Sequence, residues 1–549
     1  MKRFALPILL LAAVLGGCGN DDDEVASAAC TELTTDRLAL AGLTIERATE
    51  VAASDTLPAH CRIGGTLDPR TGIDGKPYAI GFELRLPLSD AWNGKFFFQG
   101  TDGTGGVIAP ATGALRNAAS GTALKRGYAV ASSDGGHATG ASDVSFGRDP
   151  QARIDYGYNA VGRIADVARQ ILQVRYGQAP AHSYLVGCGN GGRDAMVAAA
   201  RFADRFDGLV AEAPGLNSPK AGIAQQWDTQ QFMSAAGAGQ LPKDAFPAAT
   251  LRVVADAILS QCDALDGVAD GIVNDRVGCQ SVFNLAAAVP TCSTGASGCL
   301  SAAQKSALQK VFAGAKNGAG QSLYATWPWD AGIAGADWRF WKLDAGFAPL
   351  PNNTVAGAGA MGFVFTSPPD APSLADIGLA YQLAFDMDAD APKIFATAAP
   401  FTQSAMSFMT PPDPTHLTTL KNRGGKLLVV HGTADPVYSA NDSIAWYSAL
   451  SAADADAAGY ARLMLVPGMN HCAGGPTTDR FDLLTALEDW VEKGIAPDTI
   501  TATVNPSDPD VIAAGWPATR SRPLCAYPKQ AVVKSGATGT EDASSFQCQ

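Results

Sequence analysis

Basic residues are fewer than acidic residues in this chain, which argues against nucleic acids and anionic membranes as binding partners. The sequence has 40 Lys and Arg against 53 Asp and Glu, a formal net charge of −13. Such a surface repels the phosphates of nucleic acids and of anionic membranes. We therefore expect neither as a binding partner.

Long apolar runs are missing after the N-terminus, where no stretch is long enough to span a bilayer. A basic start followed by apolar residues 5–14 predicts a secretory signal peptide over residues 1–17. The next letters, Leu-Gly-Gly-Cys, resemble a bacterial lipobox ending at Cys18. This predicts an exported envelope lipoprotein with a lipidated acidic tether over 18–29, held at a membrane only by its lipid. The alternative is an ordinary signal peptide with an incidental cysteine.

Cys-x-x-Cys spacings are absent, so the common zinc and redox motifs are not indicated. Of the 11 cysteines, Cys18 is the expected lipidation site, which leaves ten in an oxidising compartment. We expect five disulfides. Cys262 with Cys279, and Cys292 with Cys299, are near enough in sequence to suggest two local loops.

The most informative absence is a hydroxyl in a nucleophile elbow. Residues 184–186 read as the end of a strand, residues 187–191 as a glycine-rich turn, and residues 193–200 as a helix. In α/β-hydrolases this turn is G-x-S-x-G and carries the catalytic serine. Here both outer glycines are present, but the middle residue is Gly189.

Apolar strands alternate with helical patterns along much of the chain. Strands are predicted at 78–98, 128–132, 427–432 and 463–468, and an amphipathic helix at 155–175. This rhythm favours an α/β fold with a parallel-sheet core, whose chemistry lies beyond the carboxyl ends of the strands.

Between residues 215 and 420 that rhythm is lost, which predicts an inserted lid domain. Residues 30–214 and 421–549 then form the catalytic domain. The lid carries an aromatic cluster that forms either its own core or a wall facing the substrate: Trp327, Trp329, Trp338, Phe340 and Trp341.

Two further residues follow the elbow in the order found in α/β-hydrolases. Asp435 comes after one apolar strand and His471 after the next. In this order the aspartate orients the histidine, and the histidine acts as general base. Gly189, Asp435 and His471 therefore predict a catalytic triad without its serine.

These residues resemble the tannase/feruloyl esterase family in particular. Its nucleophile motif, Cys-Ser-x-Gly-Gly, is matched by residues 188–192, and its histidine is followed by a cysteine, as in His471-Cys472. The resemblance implies an α/β-hydrolase core with a large inserted lid and a disulfide between the cysteines beside the nucleophile and the histidine. The pairs that it implies are Cys188–Cys472, Cys30–Cys61, Cys262–Cys279, Cys292–Cys299 and Cys525–Cys548.

Three carboxylates, those of Asp263, Asp266 and Asp270, are crowded into one short loop. From their chemistry alone, a solvated acidic turn and a site for a hard cation are equally good interpretations. The family resemblance implies a structural Ca²⁺ bound by these side chains and by the carbonyls of Val268 and Ile272.

The glycine-rich segment 100–106 corresponds to the family loop that helps to form the oxyanion hole. Backbone amides of Asp102 and Gly103, together with that of Asn190, would face a developing oxyanion. Asp102 departs from the usual run of glycines. It either weakens this site or caps the turn and points away.

The resemblance implies hydrolysis of esters of aromatic acids, such as gallate, ferulate or terephthalate half-esters. With Gly189 at the nucleophile position, we expect weak or no activity. Three interpretations stay open: an esterase whose serine has been altered, a non-catalytic envelope lipoprotein that binds aromatic acids or esters, and slow hydrolysis by a water that His471 activates.

Overall fold

The computed structural model describes Met1 and residues 28–115, 121–141, 143–292, 297–370 and 377–549. The expected signal peptide and Cys18, with most of the tether, lie outside the described residues, so the lipid anchor stays a prediction. Over the ranges given, no helix has the length and apolar character needed to cross a membrane.

The described residues form one central sheet of nine strands in the order β1-β2-β3-β5-β4-β6-β7-β8-β9. From β5 through β9 the neighbouring strands are parallel, as expected, whereas β1, β2 and β3 pair antiparallel at one edge. The sheet is therefore mixed. The strands are β1 (Leu43–Val51), β2 (His60–Thr71), β3 (Pro77–Pro87), β4 (Lys95–Gln99), β5 (Ala129–Ser133), β6 (His182–Cys188), β7 (Gly208–Glu212), β8 (Lys426–Gly432) and β9 (Ala461–Val466).

The central parallel strands are apolar on both faces because helices cover both sides of the sheet. Phe96, Phe97 and Phe98 of β4 are all fully buried, as are residues 427–430 of β8. Such strands read as continuous apolar runs rather than alternating ones. That is why the sequence indicates them clearly.

Helices flank the sheet and fill the stretch between β7 and β8. The predicted helix at 155–175 consists of a π-helical turn, Asp155–Asn159, continued by the α-helix Ala160–Tyr176, which ends at Gly177 in the left-handed conformation (φ 75°). The other α-helices longer than six residues are Asn190–Arg201, Ser218–Ser234, Ala248–Cys262, Arg276–Val282, Ala302–Phe312, Ala336–Lys342, Ala440–Ala453 and Leu483–Lys493.

The segment between β7 and β8 builds a hydrophobic core of its own, which also takes in Phe146 and Tyr156 from the sheet-forming part. Trp327 and Trp338 are buried in this core, and Trp329 packs against it. Part of the aromatic cluster is therefore structural. The segment packs over the end of the sheet where the candidate site lies.

Five disulfides tie the chain, and they are the five pairs that the family resemblance implies. Cys188–Cys472 joins residues 284 apart in sequence, with the Cα atoms separated by 6.2 Å. The other four close loops of at most 31 residues. Two small sheets complete the C-terminal part: β10 (Thr499–Thr503) pairs with β11 (Ser521–Cys525), and β12 (Ala531–Val533) pairs with β13 (Phe546–Cys548).

Candidate active site

The elbow is a sharp turn between β6 and the helix Asn190–Arg201. Gly189 has φ 58° and ψ −109°, a conformation that L side chains rarely adopt. Its N–H donates to the carbonyl of Glu212 (2.9 Å), and its carbonyl accepts from Arg193 (2.9 Å) and Gly215 (3.1 Å). The turn is therefore held on both sides, although it carries no nucleophile.

The outer glycine at position 187 is required by close packing. A Cβ built on Gly187 would lie 2.4 Å from the carbonyl carbon of Gly191, so the turn can close only without a side chain there. Asn190 begins the helix, and the first amides of a helix have no acceptor within it. The Asn190 amide is thus available at the site where the family resemblance expects an oxyanion donor.

Three contacts hold the glycine-rich loop against the elbow. The Thr101 N–H donates to the Asp194 carboxylate (3.0 Å), and the Asn190 amide side chain donates to the Thr101 carbonyl (3.2 Å). The Tyr156 hydroxyl lies 3.0 Å from the Gly103 carbonyl and 3.1 Å from Asn190 Oδ1, and donates to one of them at a time. These contacts hold the loop that carries Asp102 and Gly103 beside Asn190, and of the three residues expected at the oxyanion hole Asn190 is buried whereas Asp102 and Gly103 are exposed.

His137 is buried behind this loop and contacts its backbone. Its Nε2 lies 2.9 Å from the Thr104 carbonyl and its Nδ1 lies 2.9 Å from the Thr139 hydroxyl, and its ring stacks on Phe146. Burial lowers the pKa of His137 to about 4, so the ring is neutral at physiological pH and donates from Nε2 to the loop.

Asp435 and His471 form a hydrogen-bonded pair facing the elbow. His471 Nδ1 lies 3.0 Å from Asp435 Oδ2, and a Cβ built on Gly189 would lie 2.7 Å from His471 Nε2. The other Asp435 oxygen accepts from the amides of Val437 (2.7 Å) and Tyr438 (3.1 Å). Burial opposes the charge of Asp435, but the charge and hydrogen bond of His471, together with a hydrogen bond from His431, outweigh it and hold its pKa well below the ordinary value. An ionised Asp435 keeps the proton of His471 on Nδ1, which leaves Nε2 as the base.

A second histidine, His431, also contacts Asp435. Its Nε2 lies 3.3 Å from Asp435 Oδ2 and 3.0 Å from the Tyr438 carbonyl, both of which accept, so Nε2 carries the proton. Its Nδ1 then accepts from the Ser443 hydroxyl (2.8 Å). His431 thus adds a further donor to the carboxylate that orients His471.

Gly189, Asn190 and His471 line a cavity of about 340 Å³, a size suited to a small organic ligand. Its aromatic walls include Phe340 and Trp341, so this part of the aromatic cluster does face the site. The rings of Trp341 and Tyr438 lie 5.6 Å and 5.7 Å from the ring of His471, both edge to face. Polar residues Ser218, Gln225 and Asn352 lie among the other lining residues.

The helix Ala336–Lys342 is joined to the histidine loop by hydrogen bonds. Asp337 Oδ2 accepts from the backbone N–H of His471 (3.2 Å), and Asn470 Oδ1 accepts from the N–H of Trp338 (3.3 Å). Asn470 also donates to the Ala434 carbonyl (3.2 Å), beside Asp435. The cavity wall and the two catalytic candidates are therefore positioned together.

The acidic loop after Cys262 lies outside this cavity. Asp263 accepts from the N–H of Gly271 (2.9 Å), Asp266 accepts from the side chain of Asn274 (2.8 Å), and Asp270 contacts Arg522. Burial raises the pKa of Asp263, and raises that of Asp266 to about 6, with the charge of Asp270 adding to both shifts. A cation in the loop would relieve this repulsion.

The carbonyl groups of the same loop are compatible with a cation as well. Among the described residues, no donor reaches the carbonyl oxygens of Val268 and Ile272. The loop carboxylates do not converge to within 4.8 Å of one another. The group of described residues that does so is Cys188, His471 and Cys472, and its two cysteines are disulfide-bonded. The loop therefore offers the oxygen ligands that Ca²⁺ prefers, although its three carboxylates are not gathered around one point.

Several site residues carry little or no signal in the sequence. Tyr156, Asp337 and Tyr438 come from separate parts of the chain, and only packing brings them to Asn190 and His471. His431 has one usable signal, because it lies near the end of β8, four residues before Asp435, which it contacts.

Comparison with known proteins gives a consistent assignment. A model of the family described as tannase and feruloyl esterase matches residues 61–549. The chain is 41% identical to a mono(2-hydroxyethyl) terephthalate hydrolase of Piscinibacter sakaiensis, covering 92% of this chain and 87% of the relative. It is 29% identical to a probable feruloyl esterase of Arthroderma benhamiae, covering 92% and 89%.

A solved structure has the same fold. Feruloyl esterase B from Aspergillus oryzae superimposes with a TM-score of 0.73 at 22% identity, covering 95% of this chain and all of that one. Together with the family match, the elbow and the cysteine pair that ties it to the histidine loop lead to one conclusion. The chain belongs to the tannase and feruloyl esterase family of α/β-hydrolases.

Proposed function

We propose that the cavity binds esters of aromatic acids, with the ester group between Gly189 and His471, and that this chain hydrolyses them slowly. The observation that carries the proposal is His471, which Asp435 holds from behind and which faces the elbow inside a cavity walled by Trp341 and Tyr438. The family to which the chain belongs hydrolyses carboxylic esters, and the relatives named above include a probable feruloyl esterase and a mono(2-hydroxyethyl) terephthalate hydrolase.

The low rate follows from position 189. Without a hydroxyl there, no acyl-enzyme forms on the chain at the elbow, and Cys188 cannot replace the serine because it is in a disulfide. His471 Nε2 can instead take a proton from a water that attacks the ester carbonyl. Serine hydrolases that lose a triad member keep about 10³–10⁴-fold acceleration over water from the remaining groups.

Gly189 also favours a second candidate function. A chain of this family that binds aromatic acids or esters without turnover would need the cavity but not the serine. In that case export and the predicted lipid anchor would hold a binding protein at the cell envelope.

Aromatic ester binding can be tested on the unmodified chain. We expect methyl ferulate to bind saturably by isothermal titration calorimetry, and Trp341→Ala to weaken binding at least tenfold because it removes an aromatic wall. Trp516→Ala is the control, since Trp516 does not line the cavity. A failure of methyl ferulate and of its acid to bind would contradict the proposal.

We propose in addition that Asp263, Asp266, Asp270 and the carbonyls of Val268 and Ile272 hold a structural Ca²⁺. Bound ligand stabilises a fold by about 2.7 kcal/mol at a hundred times its Kd. We therefore expect EGTA to lower the thermal midpoint by several degrees and added Ca²⁺ to restore it. Asp266→Asn should remove the response to both. A midpoint indifferent to EGTA would argue for a solvated acidic turn.

A further inference from the structure

The side chains that line the cavity, where an aromatic acyl group would lie, include two carboxylates but no lysine or arginine among the described residues. In the part of the chain that the structure describes, its titratable side chains are Asp102, Asp337, Tyr156, Tyr438 and His471, and no lysine or arginine is among the lining residues. The two acids differ in setting, because Asp102 is exposed at the loop whereas Asp337 is partly buried.

Asp337 is held in its place by the groups around it. Its Oδ2 accepts from the backbone N–H of His471 (3.2 Å), and the side chain of Trp341, from its own helix, also bonds to its carboxylate. The titratable groups that face it are His471 and, behind it, Asp435. Burial raises the pKa of Asp337 to about 6, so the carboxylate is ionised at pH 7.5. A ligand in the cavity therefore meets a fixed negative charge.

A carboxylate on the ligand would lose water on entering and gain no opposite charge in return. Two like charges about 10 Å apart, at an effective dielectric constant of about 20, weaken binding by tenfold or more. An uncharged group of the same shape escapes this repulsion. Repulsion of the wrong ligand is a common route to specificity.

We propose that Asp337 is a specificity-determining residue, which makes the cavity select uncharged aromatic esters over aromatic half-esters that carry a free carboxylate. The inference rests on the proposed function, because it takes the cavity as the site of the aromatic acyl group. It also assigns a role to a residue of the inserted segment rather than of the triad.

Two ligands of equal shape test the selection on the unmodified chain. Monomethyl terephthalate carries a carboxylate, and methyl 4-carbamoylbenzoate has a neutral carboxamide in its place. At pH 7.5 we expect the carboxamide to bind at least tenfold more tightly by calorimetry. Equal or tighter binding of the half-ester would overturn the inference while leaving the proposed function intact. If neither ligand binds, the proposed function itself fails.

Asp337→Asn then tests the assignment to this residue. The variant should bring the two affinities within about threefold, mainly by tightening the half-ester, while Asp337→Glu should keep the selection. Asp90→Asn removes the same charge from an exposed turn and should leave the ratio unchanged. Thermal unfolding of each variant verifies the fold. A ratio that stays at tenfold in a folded Asp337→Asn protein would overturn the assignment.

Discussion

Gly189→Ser is expected to convert this chain into an efficient esterase, with a gain in kcat of at least about 10³ and up to about 10⁶ on aryl esters. His471 Nε2 already lies at the elbow, and Asp435 fixes the tautomer that it needs to accept the serine proton. The measurement is steady-state hydrolysis of methyl ferulate by both proteins. A burst of alcohol release would report the acyl-enzyme.

The same substitution should lower stability. Position 189 has φ 58°, and a non-glycine residue held in such a conformation costs about 1–3 kcal/mol. The new Cβ would lie 2.7 Å from His471 Nε2, so the imidazole must also withdraw by several tenths of an ångström. Urea unfolding should therefore show a loss of about 1–3 kcal/mol in the free energy of unfolding.

Gly189→Ala separates the two effects. Alanine brings the same backbone strain and the same Cβ, but no hydroxyl, so it should lose stability without gaining activity. If the serine variant were as slow as the alanine variant, more than the nucleophile would have been lost from the site. The non-catalytic binding function would then be the better interpretation.

Removing the Cys188–Cys472 disulfide should lower the activity of the Gly189→Ser variant and also lower the free energy of unfolding. The bond joins the residue before Gly189 to the residue after His471, so it fixes the distance between the elbow and the base. A displacement of about 1 Å in such a pair can cost about 10² in rate. In the Gly189→Ser background, we expect Cys188→Ala with Cys472→Ala to lower kcat by about that factor.

Stability should fall too, by an amount on the order of the 2–5 kcal/mol that loss of a native disulfide costs small secreted domains. The Cys30–Cys61 pair is the control, because that buried bond lies at the antiparallel edge of the sheet rather than at the elbow. Replacing that pair should reduce the free energy of unfolding and leave kcat unchanged. If both double variants kept the same kcat, the disulfide at the elbow would be a structural tie only.

The parallel part of the sheet and the catalytic candidates could be read from the sequence for one physical reason. Buried strands are apolar throughout, and Asp435 and His471 follow directly after two of them. In a parallel sheet the carboxyl ends share one edge, so chain order and strand ends suffice to place such residues together.

The rest depended on packing that local patterns do not encode. The sequence does not indicate the antiparallel strands β1 and β2. β1 is largely half-buried or exposed and shows no clear apolar pattern, and β2, although mostly buried, has Gly64 and Gly65 in its middle instead of apolar side chains. The aromatic cluster is divided between the core and the cavity wall. Trp338 packs in the core and Trp341 lines the cavity, although both lie on the same short helix. Asp337 could not be singled out, because its role depends on the loop that packs against it.

The neighbouring positions of β7 and β8 have a consequence for how this protein can change. The chain leaves the sheet after Glu212 of β7 and returns at Lys426 of the neighbouring strand β8. More than two hundred residues therefore connect two strands that a single crossover helix could join. Insertions or exchanges within this segment between β7 and β8 leave the order of the strands in the sheet unchanged. Ligand preference can therefore change through this segment without altering the triad, and a graft of the segment between relatives should carry the preference with it.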